Sequence, residues 1–184
     1  MAIDGAAEIA RKEGWRPDFI IGDFDSVRRT TLAHFSRLGV EILRTPDQDY
    51  TDLEKALAWV ATLGDLRTIT VAQGAGSRLD HSLGNLSLLK RFHSPRRELT
   101  FYTETERVRY AEDETLRLKG RTGRRIAVIP FPAARVSSRG LRFEMKALDL
   151  ALGVRESISN AARRADVALD IKGGALVIEE YRRE

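Results

Sequence analysis

Phe19-Ile20-Ile21-Gly22-Asp23-Phe24-Asp25-Ser26 is an apolar run that stops on two acids at alternating positions. The run reads as a short buried strand, and side chains two residues apart on an extended segment point the same way. Asp23 and Asp25 are therefore expected to converge at the end of that strand. Two carboxylates repel there unless something positive sits between them, and a hard dication such as Mg²⁺, which takes oxygen ligands, suits the pair. Taken alone, a D-x-D is more often a polar turn after a buried strand. Asp4, Asp49, Asp52, Asp80 and Arg78 shift the balance toward a site, because each also falls at an apparent element boundary.

Working outward, short apolar segments at Phe19–Ile21, Val40–Leu43 and Thr68–Ala72 alternate with helical patterns near Ala6–Glu13, Arg28–Leu38, Asp52–Leu63 and His81–Phe92. The Asp52–Leu63 helix is the clearest, with Leu53, Ala56, Leu57, Val60 and Ala61 at helical spacing. Thr51 followed three residues later by Glu54 makes a capping box at its start. Such β/α alternation predicts a mainly parallel sheet with helices on its faces. Ligands of these sheets bind at the carboxyl ends of the strands, where Asp23, Asp25 and the Gln73–Asp80 loop are all expected. After Ser94-Pro95-Arg96-Arg97 the pattern changes to short strands at Leu99–Thr103, Val108–Ala111, Thr115–Leu118, Ile126–Ile129, Leu141–Met145, Val167–Ile171 and Leu176–Glu180. Turn signals such as Lys119-Gly120, Thr122-Gly123, Arg139-Gly140 and Gly173-Gly174 bound them. The expectation is an α/β domain over residues 1–95 and an antiparallel β-sandwich or barrel over 96–184.

The 184 residues are 42% hydrophobic and 32% charged, the balance of a globular chain that buries a core. No apolar run approaches the roughly 20 residues that cross a bilayer. Met1–Ala7 carries neither a basic n-region nor an apolar h-region, so it does not read as a signal peptide. Zero cysteines exclude a disulfide framework, a thiol nucleophile and a cysteine zinc site, and a cytoplasmic protein is the simplest reading. The net charge of +4 raises nucleic acid as a partner. The arginine pairs at 28–29, 96–97, 124–125 and 163–164 are dispersed without interleaved aromatics, which reads against it. A polyanionic small molecule such as a nucleotide would use the same charge.

Two further segments carry chemistry. Gln73-Gly74-Ala75-Gly76-Ser77-Arg78-Leu79-Asp80-His81 follows a strand and opens a helix, where small residues and free N–H groups favour phosphate. Arg78 is suited to gripping phosphate oxygens in pairs. Asp80 is either a ligand or a helix N-cap. His81 and Asn85, four apart, share one helix face. The segment lacks the Gly-Lys-Ser/Thr of a Walker A loop. In Asp47-Gln48-Asp49-Tyr50-Thr51-Asp52, Asp49 and Asp52 flank a helix start whose dipole stabilises anions. Lys55 lies one turn on. No Ser/His/acid triad assembles, and Ser26 has no base at suggestive spacing.

Asp4-Gly5-Ala6, Gly22-Asp23-Phe24-Asp25-Ser26, Asp49-x-Thr51-Asp52-x-x-Lys55-Ala56-Leu57 and Gly76-x-Arg78-Leu79-Asp80-His81-x-x-x-Asn85, in that order, resemble the thiamine pyrophosphokinase (thiamin diphosphokinase) family. Ser157-Ile158-Ser159-Asn160 resembles that family's S-x-S-N motif on the thiamine side. The resemblance covers nearly the whole chain. It implies a Rossmann-like catalytic domain followed by a β-sandwich, a homodimer with thiamine near its interface, and transfer of the β,γ-pyrophosphoryl unit of ATP to thiamine with release of AMP. Asp23, Asp25 and Asp52 or Asp49 would hold Mg²⁺. Thr51, Lys55, Arg78, Asp80 and His81, with Asp4 nearby, would orient the nucleotide, and Ser26 and Asn85 would shape the site. Ser157, Ser159 and Asn160 would face the pyrimidine, and one of the aspartates would accept the hydroxyl proton.

Three departures follow from the same resemblance. Family members carry a first strand and an Asn-Gly-type loop before the Asp-Gly-Ala segment, so the natural chain is expected to start upstream of Met1. Ser77 and Gln73 stand where glycine is common. Trp15 and Trp59 both lie in the α/β half, which leaves Phe131 or Phe143 to stack on the pyrimidine. Two alternatives remain open at this level: a related diphosphokinase on another alcohol such as a hydroxymethylpterin, and a truncated non-catalytic thiamine binder.

Overall fold

Parallel pairing begins at the second residue. The structure, a computed structural model, describes residues 1–64, 66–75 and 78–181. The chain packs as two units, Met1–Leu66 and Arg67–Glu184. In the first, β1 (Ala2–Ile3), α1 (Ala6–Lys12), β2 (Phe19–Gly22), α2 (Arg29–Arg37), β3 (Glu41–Arg44) and α3 (Asp52–Ala61) alternate. The strands form a three-stranded sheet in the order β1-β2-β3, with both pairs parallel. The β1–β2 register sets Ala2 against Ile20 and Ile3 against Ile21, and β2 runs beside β3 from Phe19/Glu41 to Gly22/Arg44. Ala2, Ala7, Ala10, Ile20, Val27, Phe35 and Val40 fill the core under this sheet. Burial of a side chain such as Ile20 or Phe35 contributes roughly 1.5–3 kcal/mol.

The second unit holds β4 (Thr68–Ala72), α4 (Leu79–Arg91), β5 (Glu98–Tyr102), β6 (Glu106–Glu112), β7 (Thr115–Leu118), β8 (Arg125–Arg139), β9 (Leu148–Ala151), β10 (Ser157–Ala161) and β11 (Val167–Glu180). They form an eight-stranded sheet in the order β10-β8-β11-β6-β5-β4, with β7 on β11 and β9 on β8. The sheet is mixed, because β4 and β5 run parallel from Thr68/Glu98 to Ala72/Tyr102. This corrects the expectation of one parallel sheet over the first half: β4 belongs with the β-rich segment. The packing reason is local. Phe101 on β5 is fully buried, and the loop leaving β4 lies against its ring at Gly74, where a Cβ would come within 2.6 Å of the ring. The change of pattern near residue 95 therefore falls inside a unit, between two paired strands.

Two further readings change. Gly173-Gly174 is a bulge inside β11, which continues along β8 from Ala168/Arg139 to Glu179/Ile126 with a register shift between Gly173 and Ala175. Gly173 has φ +82°, and a Cβ there would meet the Ala133 carbonyl oxygen at 2.7 Å. Glycine serves close approach here and not chain reversal. Leu141–Met145, read as a strand, keeps only an isolated antiparallel bridge from Leu141 to Ala162 and the Arg142 N–H bond to the Ala161 carbonyl (2.7 Å). Around it Gly140 N–H goes to Glu144 Oε1 (2.6 Å), Phe143 N–H to Asn160 Oδ1 (3.1 Å) and Met145 N–H to Ser138 Oγ (2.8 Å). Those side-chain acceptors take the place of the rest of a ladder. The core of this unit runs through Val128, Val136, Leu169, Ile171, Ala175 and Val177.

Candidate functional site

All three strands of the first unit deliver their next residue to the same edge. Asp4 N–H bonds the Ile21 carbonyl (2.8 Å) and Thr45 N–H bonds the Gly22 carbonyl (2.8 Å), so Asp4, Asp23 and Thr45 each sit just past a parallel strand. Asp52 opens α3, where the helix dipole favours a negative charge. Carboxylate oxygens of Asp4, Asp23 and Asp52 lie within 4.8 Å of one another. Glycine makes the approach possible, since a Cβ at Gly22 would stand 3.0 Å from Asp4 Cβ and 3.3 Å from its Oδ1. Asp4 (φ +42°) and Phe24 (φ +66°) both adopt left-handed backbone conformations. Such strain persists only where surrounding contacts enforce it, and it concentrates at functional sites.

Asp4 Oδ1 is buried and has no hydrogen-bond partner among the described residues. Its other oxygen accepts from Ser26 Oγ. A buried unpartnered carboxylate oxygen facing two further carboxylates is a donor set that fits a hard dication. Asp23 Oδ2 accepts from Gln48 Nε2 (3.0 Å) and Oδ1 from the Asp25 N–H (3.1 Å). The Gln48 bond, then the Asp25 N–H, hold the Asp23 carboxyl below its ordinary value. Asp25 is exposed, and its carboxyl is pushed up, first by the charge of Asp23 and then by burial, Asp4 and Asp52. The structure thus gathers Asp4 with Asp23 and Asp52, and sets Asp25 beside them. The carboxyl cluster includes Asp4, which the sequence placed only near the nucleotide. Gln48, which orients Asp23, was not singled out at all.

Lys55 directs its ammonium to the Thr45 carbonyl (3.0 Å), the Asp47 carbonyl (2.9 Å) and Asp52 Oδ1 (2.7 Å). An ammonium has three donors, so this geometry ties the β3–α3 loop to the acid that opens α3. Thr51 caps that helix, its Oγ1 accepting from Glu54 N–H at 3.2 Å. Thr51→Ala is expected to cost about 1 kcal/mol, read as a lower urea midpoint with unchanged slope. Asp49 is exposed, and its N–H bonds Asp47 Oδ1 at 2.8 Å, outside the carboxylate cluster.

In the second unit, Gln73 (φ +58°) and Gly74 leave β4, and Asn85 Nδ2 reaches back from α4 to the Gly74 carbonyl (3.0 Å). The positive φ at Gln73 gives the physical reason glycine would suit that position. Gly76 and Ser77 lie outside the described residues. Arg78 precedes α4 as its N-cap, and Asp80 falls in the first turn, so Asp80 is not the cap. Arg78 grips Asp80 through NH2 (2.7 Å) and Nε (3.3 Å), both side chains being exposed. The Arg78 side chain, followed by the His81 N–H, draws Asp80 down to about 2. A lowered carboxyl stabilises the fold above its unfolded value, and that contribution is lost as pH falls through about 2. A ¹³C titration should therefore place Asp80 near 2, and Arg78→Ala should return it toward 3.8. His81 is exposed on the same turn.

Ser157, Ser159 and Asn160 lie on β10, where pairing with β8 breaks register between Ser157 and Asn160. Ser159 is exposed at φ +56°. Asn160 is 4% exposed, and its amide holds both ends of the Phe143 backbone: Oδ1 accepts from Phe143 N–H (3.1 Å) and Nδ2 donates to the Phe143 carbonyl (2.7 Å). Phe143 itself is 64% exposed, with the Arg142 guanidinium 5.5 Å from its ring centre. Among the described residues, no helix is long and apolar enough to cross a membrane.

A parallel β/α unit with acids past its strands, joined in the chain to a glycine-containing strand-to-helix loop with an arginine, defines a class of α/β protein whose donor groups suit a metal ion and a phosphate. Residues 1–101 match the family model described as thiamin pyrophosphokinase, catalytic domain. Thiamin pyrophosphokinase 1 of Caenorhabditis elegans is 31% identical over 183 residues, covering 92% of this chain and 73% of the relative. Thiamine pyrophosphokinase 1 of Arabidopsis thaliana is 27% identical over 182 residues, with 88% of this chain and 64% of that protein covered. The crystal structure of thiamine pyrophosphokinase from Bacillus subtilis superposes with a TM-score of 0.84 at 21% identity, covering 99% of this chain and 86% of that one. That from Candida albicans gives 0.85 at 16% identity, covering 98% and 81%. The chain belongs to the thiamin pyrophosphokinase family.

Proposed function

We propose that this chain moves the β,γ-pyrophosphoryl group of ATP to the hydroxyethyl oxygen of thiamine. One bond forms, between the thiamine oxygen and Pβ. One breaks, between Pβ and the oxygen bridging to Pα, and AMP leaves with that oxygen while the hydroxyl proton passes to an aspartate. The observation that carries the reading is the Asp4–Asp23–Asp52 carboxylate cluster with its unpartnered buried oxygen, in a chain of this family. Asp23, Asp25 and Asp52, with Asp4 added by the geometry, would hold Mg²⁺. When bound, that ion would neutralise phosphate charge. Lys55 and Thr51 fix the loop and helix that present Asp52, and Ser26 and Gln48 orient Asp4 and Asp23. Arg78, Asp80 and His81 receive nucleotide phosphates, Arg78 by exchanging its exposed Asp80 partner for phosphate oxygens, while Asn85 holds the loop. Asp49 serves the nucleotide from the edge of the site.

In the same reading, residues 1–95 carry the catalytic groups, with the parallel unit as their Rossmann-like part, and the sandwich-like strands of 96–184 take thiamine. Ser157 and Ser159 meet the pyrimidine, with Phe143 as the stacking ring that Asn160 sets in place. Exposed Leu152, Val154 and Ile158 beside that segment support a homodimer built over it. A cytoplasmic location, with its supply of ATP, is part of the same proposal. AMP release measured with ATP, Mg²⁺ and thiamine, each omitted in turn, tests the proposal. Release that requires all three is expected, and AMP formed equally without thiamine, or none at all, overturns it.

A further inference from the structure

Arg67 and Gln73 flank β4, so they stand at opposite ends of the strand, roughly 20 Å apart at about 3.3 Å per residue. The Gln73 end carries the phosphate loop. The Arg67 end opens on a cavity of about 310 Å³ lined by Arg67, His93, Arg96, Arg97, Glu98, Arg109 and Glu114, with Leu89, Leu99 and Leu116 among its apolar walls. Its four guanidiniums outnumber its two carboxylates, an excess of two positive charges before the histidine is counted. Arg109 is the telling member. Its side chain is 18% exposed, its nearest recorded carboxylate is Glu98 at 3.8 Å, and its Nε–H is buried with no acceptor among the described residues. A buried donor left without a partner is costly, and an oxyanion entering the cavity would offset that cost. The carbonyl end of α4 lies nearby, but Phe92 N–H and His93 N–H already bond the Leu88 and Lys90 carbonyls (2.9 and 3.1 Å), which blunts its negative end.

We infer that this cavity is a second anion site, separate from the phosphate loop, for a small phosphate-type oxyanion carrying two or more negative charges. Arginine is suited to such oxygens because its planar fork donates in pairs. Leu89, Leu99 and Leu116 limit the room for a long charged chain, so phosphate or pyrophosphate fits better than a polynucleotide. The site stands on its own residues and does not depend on the pyrophosphoryl-transfer reading.

The test is calorimetric titration of the full chain with pyrophosphate and with phosphate, in EDTA at constant ionic strength, with acetate as control. Saturable binding of the phosphate-type anions, absent for acetate, is expected. The rim variants Arg67→Glu and Arg96→Glu, both at exposed positions that leave the core intact, should weaken binding by about tenfold or more, the loss of one charge-assisted bond. Arg78→Ala, which silences the other phosphate-binding loop, should retain the component of binding that the rim variants weaken. In the Arg78→Ala background, binding that survives both rim variants, or no saturable binding at all, would overturn the inference. None of these results depends on whether the chain releases AMP.

Discussion

Asp23→Ala should lower kcat for AMP release by at least about 10²-fold, the scale of removing one preorganised electrostatic group. The argument rests on position more than on charge. Asp23 follows β2, the central strand of its sheet, and its two oxygens are held by the Gln48 amide and the Asp25 N–H. A carboxylate fixed twice loses little further freedom when it meets a cation. Its lowered protonation keeps it charged at any working pH. The alanine variant removes a carboxylate without touching the sheet's pairing, so the melting temperature should change little while turnover collapses. Gln48→Ala is the graded companion: it leaves the acid but frees one oxygen, and a smaller fall in kcat is expected. Near-native turnover by Asp23→Ala would remove this residue from the mechanism.

Part of this site was legible because the physics involved is local. Thr51 and Glu54 cap a helix three residues on, and the apolar run at Phe19–Ile21 ends on its acids whatever surrounds it. Asp4 was harder to weigh, because β1 is two residues long and shows no period. Only its register against Ile20 and Ile21 brings Asp4 to Gly22 and so into the carboxylate cluster. The partner of β4 was not legible either. A five-residue apolar strand after a helix fits either sheet, and the choice lies in the fit of Gly74 on Phe101, distant in the chain and matched by packing that no pattern encodes. Gly173-Gly174 misled for a related reason. Two glycines signal a reversal and a close approach equally well, and only the Ala133 carbonyl beside them decides. For Lys55 the residue type suggested a phosphate ligand, whereas its neighbours in space are two carbonyls and Asp52.

The largest stability effect should come from Glu179→Ala, far from any acid cluster in sequence. Glu179 is 1% exposed on β11 and accepts from Arg107 on β6 through Nε (3.0 Å) and NH2 (2.9 Å), and from Arg121 Nε (2.6 Å). Burial raises its carboxyl, and the charges of Arg107 and Arg109 pull it back down. The cluster joins β11, β6 and the turn after β7, three segments distant in the chain. Removing the carboxylate strands two guanidiniums that are only 23% and 15% exposed. Breaking a buried pair in this way costs about 3–5 kcal/mol. For a chain of this length that corresponds to a fall in Tm of roughly 6–20 °C. The penalty is one of abandonment, because the intact pair itself repays desolvation only narrowly. The triple variant Glu179→Leu, Arg107→Met, Arg121→Met should therefore recover most of the loss that Glu179→Ala incurs. If the triple variant melts as low as the single one, the carboxylate contributes by more than satisfying its two arginines, and the cluster is a net source of stability to this sheet.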